Sequence, residues 1–359
     1  MAICEIVEYA GRGRFSYGRQ DPFASRMILV TGATGFIGRQ LITRLVLRRE
    51  KLKVLVRPET LGRTLRAPQI EAVVGDIADP ITVCSAVKGC DVVIHLAALR
   101  ARWCRKRSEF ERVNVSGTRT VLEAALEQEV QKVLHVSTAM VLGPSLEACR
   151  SEADHGSINS FVSEYQRTKF LADLEAKRLS EKGLPLIILF PSTAYGPSRV
   201  PEESPVTDIS LAFAQGRLVP FIGKGDRRRN LVYVEDVVDG LLLALEKGKP
   251  GSSYVLGGDN VSQIELLTSL SELTGRPVPK WHAPLWMARA IGLIFEMKAQ
   301  VSEAYPPITR DTVNILSKEW MVTSEKAKKE LGYQPMPLKD GLGRTLEACL
   351  GRMGSVDRV

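Results

Sequence analysis

Histidine is scarce in this chain, four in 359 residues. The six cysteines (Cys4, Cys84, Cys90, Cys104, Cys149 and Cys349) are scattered, and no two form a C-x-x-C pair. Neither a metal site nor a disulfide framework reads out of such spacing. Free thiols in a reducing compartment, hence a cytoplasmic location, are the expectation. No apolar run approaches the ~20 residues of a membrane span, and the first residues hold no secretory apolar core. Neither sign of charge dominates: 49 basic and 41 acidic side chains leave +8. An excess that small does not make a nucleic-acid binder, although it favours anionic small partners such as nucleotides. No internal repeat is present. With 44% hydrophobic and 25% charged residues, wholesale disorder and collagen-like or mucin-like chains are excluded.

What is present is alternation. The length suggests about two domains, or one large α/β unit with a subdomain. Residues 1–26 read differently from the rest. They are taken as a tail dispensable for the fold, the alternative being that Met27 is the natural start. From Met27, the apolar runs MILVT, KVLV, EAVV, DVVIHLA, KVLHVST and LPLIILF read as six strands. Helical patterns lie between most of them, notably over Phe36–Arg48, Glu109–Gln128 and Ser163–Glu181. Short β-branched runs joined by helices mean βαβ crossovers and a doubly wound parallel sheet. Ligands bind such a sheet at the carboxyl ends of its strands. After residue 197 prolines and mixed elements predict a smaller mixed α/β substrate lobe over 198–359, with about 235–247 returning to the first domain. PLWMARAIGLIF, too short to span a bilayer, is expected as a buried core helix or as the wall of an apolar pocket.

The loop TGATGFIG places Gly32, Gly35 and Gly38 in G-x-x-G-x-x-G spacing after a strand and before a helix. Glycine there permits a tight turn and lets backbone N–H groups approach a pyrophosphate, aided by the positive end of the helix. By chance the trio would recur about 0.2 times per chain, so its context carries the signal. A carboxylate at the end of the second strand would hold an adenosine ribose 2′-hydroxyl. VLVRPET has Arg57 there instead, and a guanidinium suits a 2′-phosphate. Arg39 is placed to assist. NADP(H) is therefore expected ahead of NAD(H), unless Arg57 is merely a solvated surface residue.

SEYQRTKF holds Tyr165 and Lys169, four apart and so on one helix face. A phenol near pKa 10 is a poor base at neutral pH. An ammonium at ~4 Å, worth about 4 kcal/mol at an effective dielectric of 20, would lower it by at most about three units. Such a tyrosine exchanges a proton with a substrate oxygen while hydride moves to or from a nicotinamide. Ser137 and Thr138, in HVSTAM, supply hydroxyls to hold that oxygen, unless they only cap a strand end or helix.

These motifs together resemble the extended short-chain dehydrogenase/reductases, the NAD-dependent epimerase/dehydratase family. The likeness runs from Met27 to about Leu350 through TGATGFIG, VVGDIAD, VIHLAA, NVSGT, HVSTAMVLG, YQRTK, FPSTAYGP, NLVYVEDV and KKELGYQP. PSTAYGP and YVLGGDN resemble dihydroflavonol-reductase-like and hopanoid-associated sugar-epimerase-like members more narrowly. The resemblance implies Thr138, Tyr165 and Lys169 as the catalytic set. It implies cofactor contacts from Gly32, Thr34, Gly35, Phe36, Ile37 and Gly38, from Asp76 and Ile77 beside adenine, and from Ala97 and Ala98 beneath the pyrophosphate. Asn114 would order the active-site helix, and Pro191 would lie beside the nicotinamide. Ser137, Thr193 and Arg229 are substrate candidates. The resemblance also makes a homodimer possible, through Glu109–Gln128 and Ser163–Glu181.

Two departures bear on the substrate. Phe190 stands where many sugar-nucleotide members carry an arginine, whereas Arg229 matches one they place on a pyrophosphate. A basic run, Arg100 to Arg107, follows the fourth strand and either borders an anionic substrate or is a solvated loop. Three functions stay open: an NADP(H)-dependent reductase or dehydrogenase of a carbonyl/alcohol pair, a nucleotide-sugar epimerase or dehydratase with retained NAD, and a non-catalytic nucleotide-binding scaffold. The third commonly lacks the tyrosine or the lysine, and both are here.

Overall fold

The computed structural model describes residues 26–356 except 102, 146, 155, 199, 201, 202, 303 and 304, with backbone only over 352–356. The expected tail, but for Arg26, lies outside the described residues. The chain runs β1 (Met27–Thr31), α1 (Phe36–Leu47), β2 (Lys51–Val56), β3 (Ile70–Val74), α2 (Pro80–Val87) and β4 (Val92–His95). A helical stretch follows, opening at Ser108–Phe110, widening to a π-helix over Glu111–Gly117 and continuing as α3 (Thr118–Glu127). Next come β5 (Lys132–Val136), α4 (Glu164–Glu181) and β6 (Leu186–Pro191). All six strands anticipated from the sequence form.

Together with β10 (Ser253–Leu256) they form one seven-stranded sheet in the order β10-β6-β5-β4-β1-β2-β3, every pairing parallel. A parallel sheet is covered on both faces, so its strands are apolar throughout. In β1, Ile28, Leu29 and Val30 have no exposure, although successive side chains face opposite layers. Leu41, Ile42, Leu45 and Val46, the buried stripe of α1, cover one face. Val121, Leu122 and Ala125 of α3 cover the other.

β10 (Ser253–Leu256) pairs with β6 as the edge strand. The sequence reading left this segment in the second lobe; the structure gives it to the central sheet. It is preceded by α6 (Val234–Lys247), which packs beside α1. Only four residues long, β10 suits an edge and carries little signal of its own.

The remaining elements are β7 (Thr193–Tyr195), α5 (Pro205–Ala214), β8 (Phe221–Ile222), β9 (Arg228–Tyr233), β11 (Asp259–Ser262), α7 (Gln263–Thr274), β12 (His282–Ala283), α8 (Leu285–Val301), α9 (Arg310–Leu316), α10 (Glu325–Leu331) and α11 (Leu338–Val356). β11, β9 and β7 form a three-stranded sheet, and β12 pairs with β8. A separate core of Tyr195, Val206, Phe213, Leu231, Leu267 and Leu342 sits under them. α8 is not a buried core helix: its buried residues are Ala288, Gly292 and Ala299, Leu285, Met287 and Phe295 are half-buried, and its other large side chains are exposed, with Leu293 and Met297 lining the cleft as the alternative expectation had it. Small residues on the inner face let α8 pack closely against α9. Mean apolarity alone could not show which side would face out. No helix among the described residues is long and apolar enough to cross a membrane.

Candidate active site

Strand order reverses between β1 and β4, and the crevice beyond their carboxyl ends is where a doubly wound sheet binds ligands. Gly32 ends β1 with φ +72°, and a Cβ there would lie 2.6 Å from the Ala97 nitrogen. A Cβ on Gly38 would lie 2.1 Å from the Gly32 carbonyl oxygen. The loop is therefore pressed onto both the β4 end and the first turn of α1, and only glycine fits. Gly35 caps α1 without a side-chain hydrogen bond, which leaves the first N–H groups of the helix for an anion. This cradle fits a dinucleotide pyrophosphate.

α4 starts at Ser163, whose hydroxyl accepts from the Gln166 N–H at 3.3 Å. Tyr165, Lys169 and Asp173 then recur every fourth residue on one side of the helix. Lys169 and Asp173 lie on its buried face, an unusual place for charge. The Thr138 hydroxyl stands near enough to the Tyr165 phenol to act on it. Lys169 Nζ donates to the Val136 carbonyl at 3.0 Å, and burial pushes it down to about 8, against the pull of Asp173. The expected depression of the phenol is not present in the protein alone. Burial pushes Tyr165 up, and the Arg100 guanidinium and Thr138 hydroxyl offset only part of that.

Behind this set lies a polar chain that the sequence reading missed. Asp173 accepts from Ser137 Oγ at 2.6 Å and bonds His135 Nε2 at 2.9 Å. Ser137, expected to meet substrate, thus spends its hydroxyl proton on Asp173. His135 Nδ1 is buried without a partner, as befits a neutral ring protonated on Nε2. His135 stacks on His95 with centroids 5.6 Å apart. His95 bonds Thr31 Oγ1 at 2.7 Å and Thr118 Oγ1 at 3.0 Å. Burial and the Lys169 charge lower both imidazoles. Asp173 stands four residues beyond Lys169, so helical spacing alone held the signal.

Asn114 sits in the π-helical turn, fully buried. Its amide accepts from Leu99 N at 2.7 Å and donates to Leu99 O at 3.2 Å and Thr168 Oγ1 at 3.0 Å. It thereby ties the loop after β4 to α4. Asp76 accepts from Ala78 N and from Arg112 Nη1, each at 2.9 Å. Although burial raises its carboxyl, these bonds hold it below the usual range. Ile77 packs where a Cβ on Gly117 would lie 2.7 Å away. Arg57, beyond β2, is 60% exposed, 3.3 Å from Glu59 and close enough to act on Asp76. Arg39 is not available to assist it: a bidentate pair at 2.7 and 2.6 Å commits it to Glu203, with a third bond to the Thr34 carbonyl.

A cleft of about 1390 Å³ gathers Gly32, Gly35, Phe36, Ile37, Gly38, Ala98, Ser137, Thr138, Tyr165, Lys169, Pro191, Thr193 and Arg229. Thr34, Arg57, Asp76, Ile77, Ala97 and Asn114 do not line it. The basic run does border it, through Arg100, Arg105 and Arg107, while Arg102 lies outside the described residues. Among the described residues no carboxylate pairs with Arg229, and burial pulls its guanidinium down to about 10. Phe190 is buried in the core and offers the cleft no donor.

The sequence profile of the NAD dependent epimerase/dehydratase family matches residues 28–257. The chain belongs to that family. A Synechocystis sp. protein named "Putative dihydroflavonol 4-reductase" is 30% identical over 318 residues, covering 87% of this chain and 91% of its own length. A 4-hydroxy-2-methyl-3-oxo-4-farnesyl-3,4-dihydroquinoline-1-oxide ketoreductase from Stigmatella aurantiaca is 30% identical, covering 85% and 90%. The crystal structure of gox2253 superposes with TM-score 0.78 at 34% identity, covering 92% of this chain and 99% of that one. The family member is an NAD(P)-dependent enzyme of oxidoreductase or epimerase/dehydratase type.

Proposed function

We propose that this family member is an NADP(H)-dependent reductase or dehydrogenase of a carbonyl/alcohol pair, with Tyr165 as acid/base. The observation that carries the reading is the Thr138–Tyr165–Lys169 set on the wall of the cleft that opens from the glycine cradle. A nicotinamide supplies or accepts hydride when bound. The N–H groups of Gly32 to Gly38 would hold its pyrophosphate, Asp76 and Ile77 its adenine end, and Arg57 a 2′-phosphate. Thr138 holds the substrate oxygen beside the Tyr165 hydroxyl. That hydroxyl gives a proton to the oxygen in reduction and takes one in oxidation. Lys169, charged below about pH 8, favours the phenolate, and Asp173 keeps that charge stable at its buried site. Asn114 fixes α4 through Thr168. Phe190, in place of an arginine, and the two reductase relatives support a substrate other than a nucleotide sugar.

Arg229 supports the second reading, a nucleotide-sugar epimerase or dehydratase, since a partly buried guanidinium with no carboxylate partner among the described residues suits an anionic substrate. With that side chain and the basic rim, an acidic group on the reductase substrate serves equally. The reading includes division at about residue 197, cytoplasmic location and a homodimer through α3 and α4, which sedimentation would test. The deciding experiment releases any bound nucleotide, identifies it, and titrates the protein with NADPH and NADH. Uptake of NADPH well ahead of NADH supports the reductase; tightly held NAD that does not exchange supports the epimerase. Tyr165→Phe lowers turnover about 10²–10⁴-fold while cofactor binding survives; unchanged turnover defeats the acid/base assignment.

A further inference from the structure

α8 wears its amphipathic pattern outward. Its inner stripe is Ala288, Gly292 and Ala299, seated so closely on α9 that a Cβ on Gly292 would lie 3.0 Å from the Arg310 nitrogen. Leu285, Met287 and Phe295 are half-buried, but other large side chains stand in the open: Trp286 is 71% exposed, Ile294 and Met297 63%, and Val301 88%. At about 100° per residue, Leu293, Trp286, Met297, Ala290, Val301 and Ile294 share an arc of roughly 100°. The same spacing sets Arg289 on one border of that arc and Lys298 on the other. Trp281, four residues before α8, and Leu218 are exposed as well, each directly preceded by a cation, Lys280 and Arg217. Leu218, Leu293 and Met297 also line the catalytic cleft, so this surface is the cleft's rim.

The charge in this stretch is mostly positive. From residue 276 to 301 the cations are Arg276, Lys280, Arg289 and Lys298, and the one acid is Glu296, already paired with Arg310 at 2.8 Å. Monomers rarely leave an apolar patch of this size to water without a use. Packing against a second copy through a two-fold axis would set these cations against themselves, with Glu296, already held by Arg310, the one carboxylate of the stretch to meet them. A bilayer with anionic headgroups offers the apolar layer and the negative surface together, and an outward apolar arc between cationic borders is the form of a helix lying in such an interface.

We propose that α8, with Trp281 and Leu218, docks the rim of the cleft on an anionic lipid bilayer. Taken with the reductase reading, on which this consequence rests, the substrate enters from the membrane and is itself apolar over much of its length. The docking is tested without that reading, by floating the full chain with phosphatidylcholine vesicles and with mixed phosphatidylcholine–phosphatidylglycerol vesicles. The wild type is expected to float with the mixed vesicles, much less at high salt or on phosphatidylcholine alone. The Trp286→Glu, Ile294→Glu double variant should lose at least tenfold in partition, having exchanged apolar contact for repulsion. Arg289→Gln with Lys298→Gln should lose about fivefold per charge. Far-ultraviolet circular dichroism and melting curves should coincide for all, because the altered side chains are exposed. Tyr165→Phe should float like the wild type, so a failure of the catalytic reading leaves this result standing. Absence of wild-type flotation, or equal flotation of the Glu variant, overturns the proposal. So does a wild-type dimer in lipid-free sedimentation that the Glu variant dissociates, which gives the surface to a second copy.

Discussion

Replacing Arg57 by alanine separates the two nicotinamide cofactors, because only NADPH carries a group for it to hold. Two unit charges at 4 Å interact by about 4 kcal/mol at an effective dielectric of 20 and by about 1 kcal/mol in water. Arg57 is 60% exposed, which places it toward the aqueous limit. Glu59 at 3.3 Å and the Asp76 carboxylate weaken its field further. The net contribution to holding a 2′-phosphate is therefore about 1–2 kcal/mol, a loss of roughly 5- to 30-fold in NADPH affinity for Arg57→Ala. NADH has a hydroxyl at that place, and its affinity should stay within about twofold of the wild type. Glu59→Gln works in the opposite sense, strengthening NADPH a few-fold by removing the competing carboxylate. The assay is quenching of protein fluorescence on titration with each reduced cofactor at fixed ionic strength. Because the pair is exposed, raising the salt should shrink the difference. Equal losses for NADPH and NADH, or no loss for either, would refute Arg57 as the selective contact, since the Arg39 guanidinium is already held by Glu203.

Lys169 is charged below about pH 8 and neutral above it, so turnover should fall as pH rises through about 8. Asp173→Asn removes the charge that opposes burial, and should move that alkaline limit to lower pH with cofactor affinity little changed. An unmoved profile counts against the coupling. The stability sign is also fixed. Lys169 binds fewer protons folded than unfolded between about 8 and its ordinary 10.5, so its contribution to stability grows as pH rises through that window. Gly38→Ala forces a Cβ to within 2.1 Å of the Gly32 oxygen and should abolish measurable cofactor binding while lowering the melting temperature; wild-type affinity would show that the loop opens freely. Asn114→Ala deletes three hydrogen bonds to Leu99 and Thr168, at about 1 kcal/mol each, and a urea melt should read a loss of about 3 kcal/mol. Leu41→Ala, in the fully buried stripe of α1, should cost about 2–5 kcal/mol by the same measurement.

Much of the site was legible because it is local. Gly32, Gly35 and Gly38 are read from one loop, and Tyr165 and Lys169 from one helical spacing. The polar chain through His95, Thr118, His135 and Asp173 was not legible as a unit, because it joins two strands and two helices and its residues show no common period. Asp173 alone was within reach, as the third member of the series begun by Tyr165. Ser137 shows the same limit: it lines the cleft, yet its hydroxyl donates to Asp173, a partner in a different element that no local spacing reveals.

The sequence by itself determined the doubly wound sheet, because apolar runs of strand length separated by helical periods allow little else, and it determined the cradle, because only glycine tolerates those contacts. The tertiary structure alone decided which charges are committed. Arg39 and Glu203 are far apart in the chain yet bonded, Arg57 is exposed beside two acids, and burial of the Tyr165 phenol outweighs the Arg100 guanidinium and Thr138 hydroxyl that oppose it. It also decided that Ser253–Leu256 completes the central sheet and that α8 presents its apolar side to solvent. Both outcomes depend on which neighbour covers a face, and residues distant in sequence supply that neighbour.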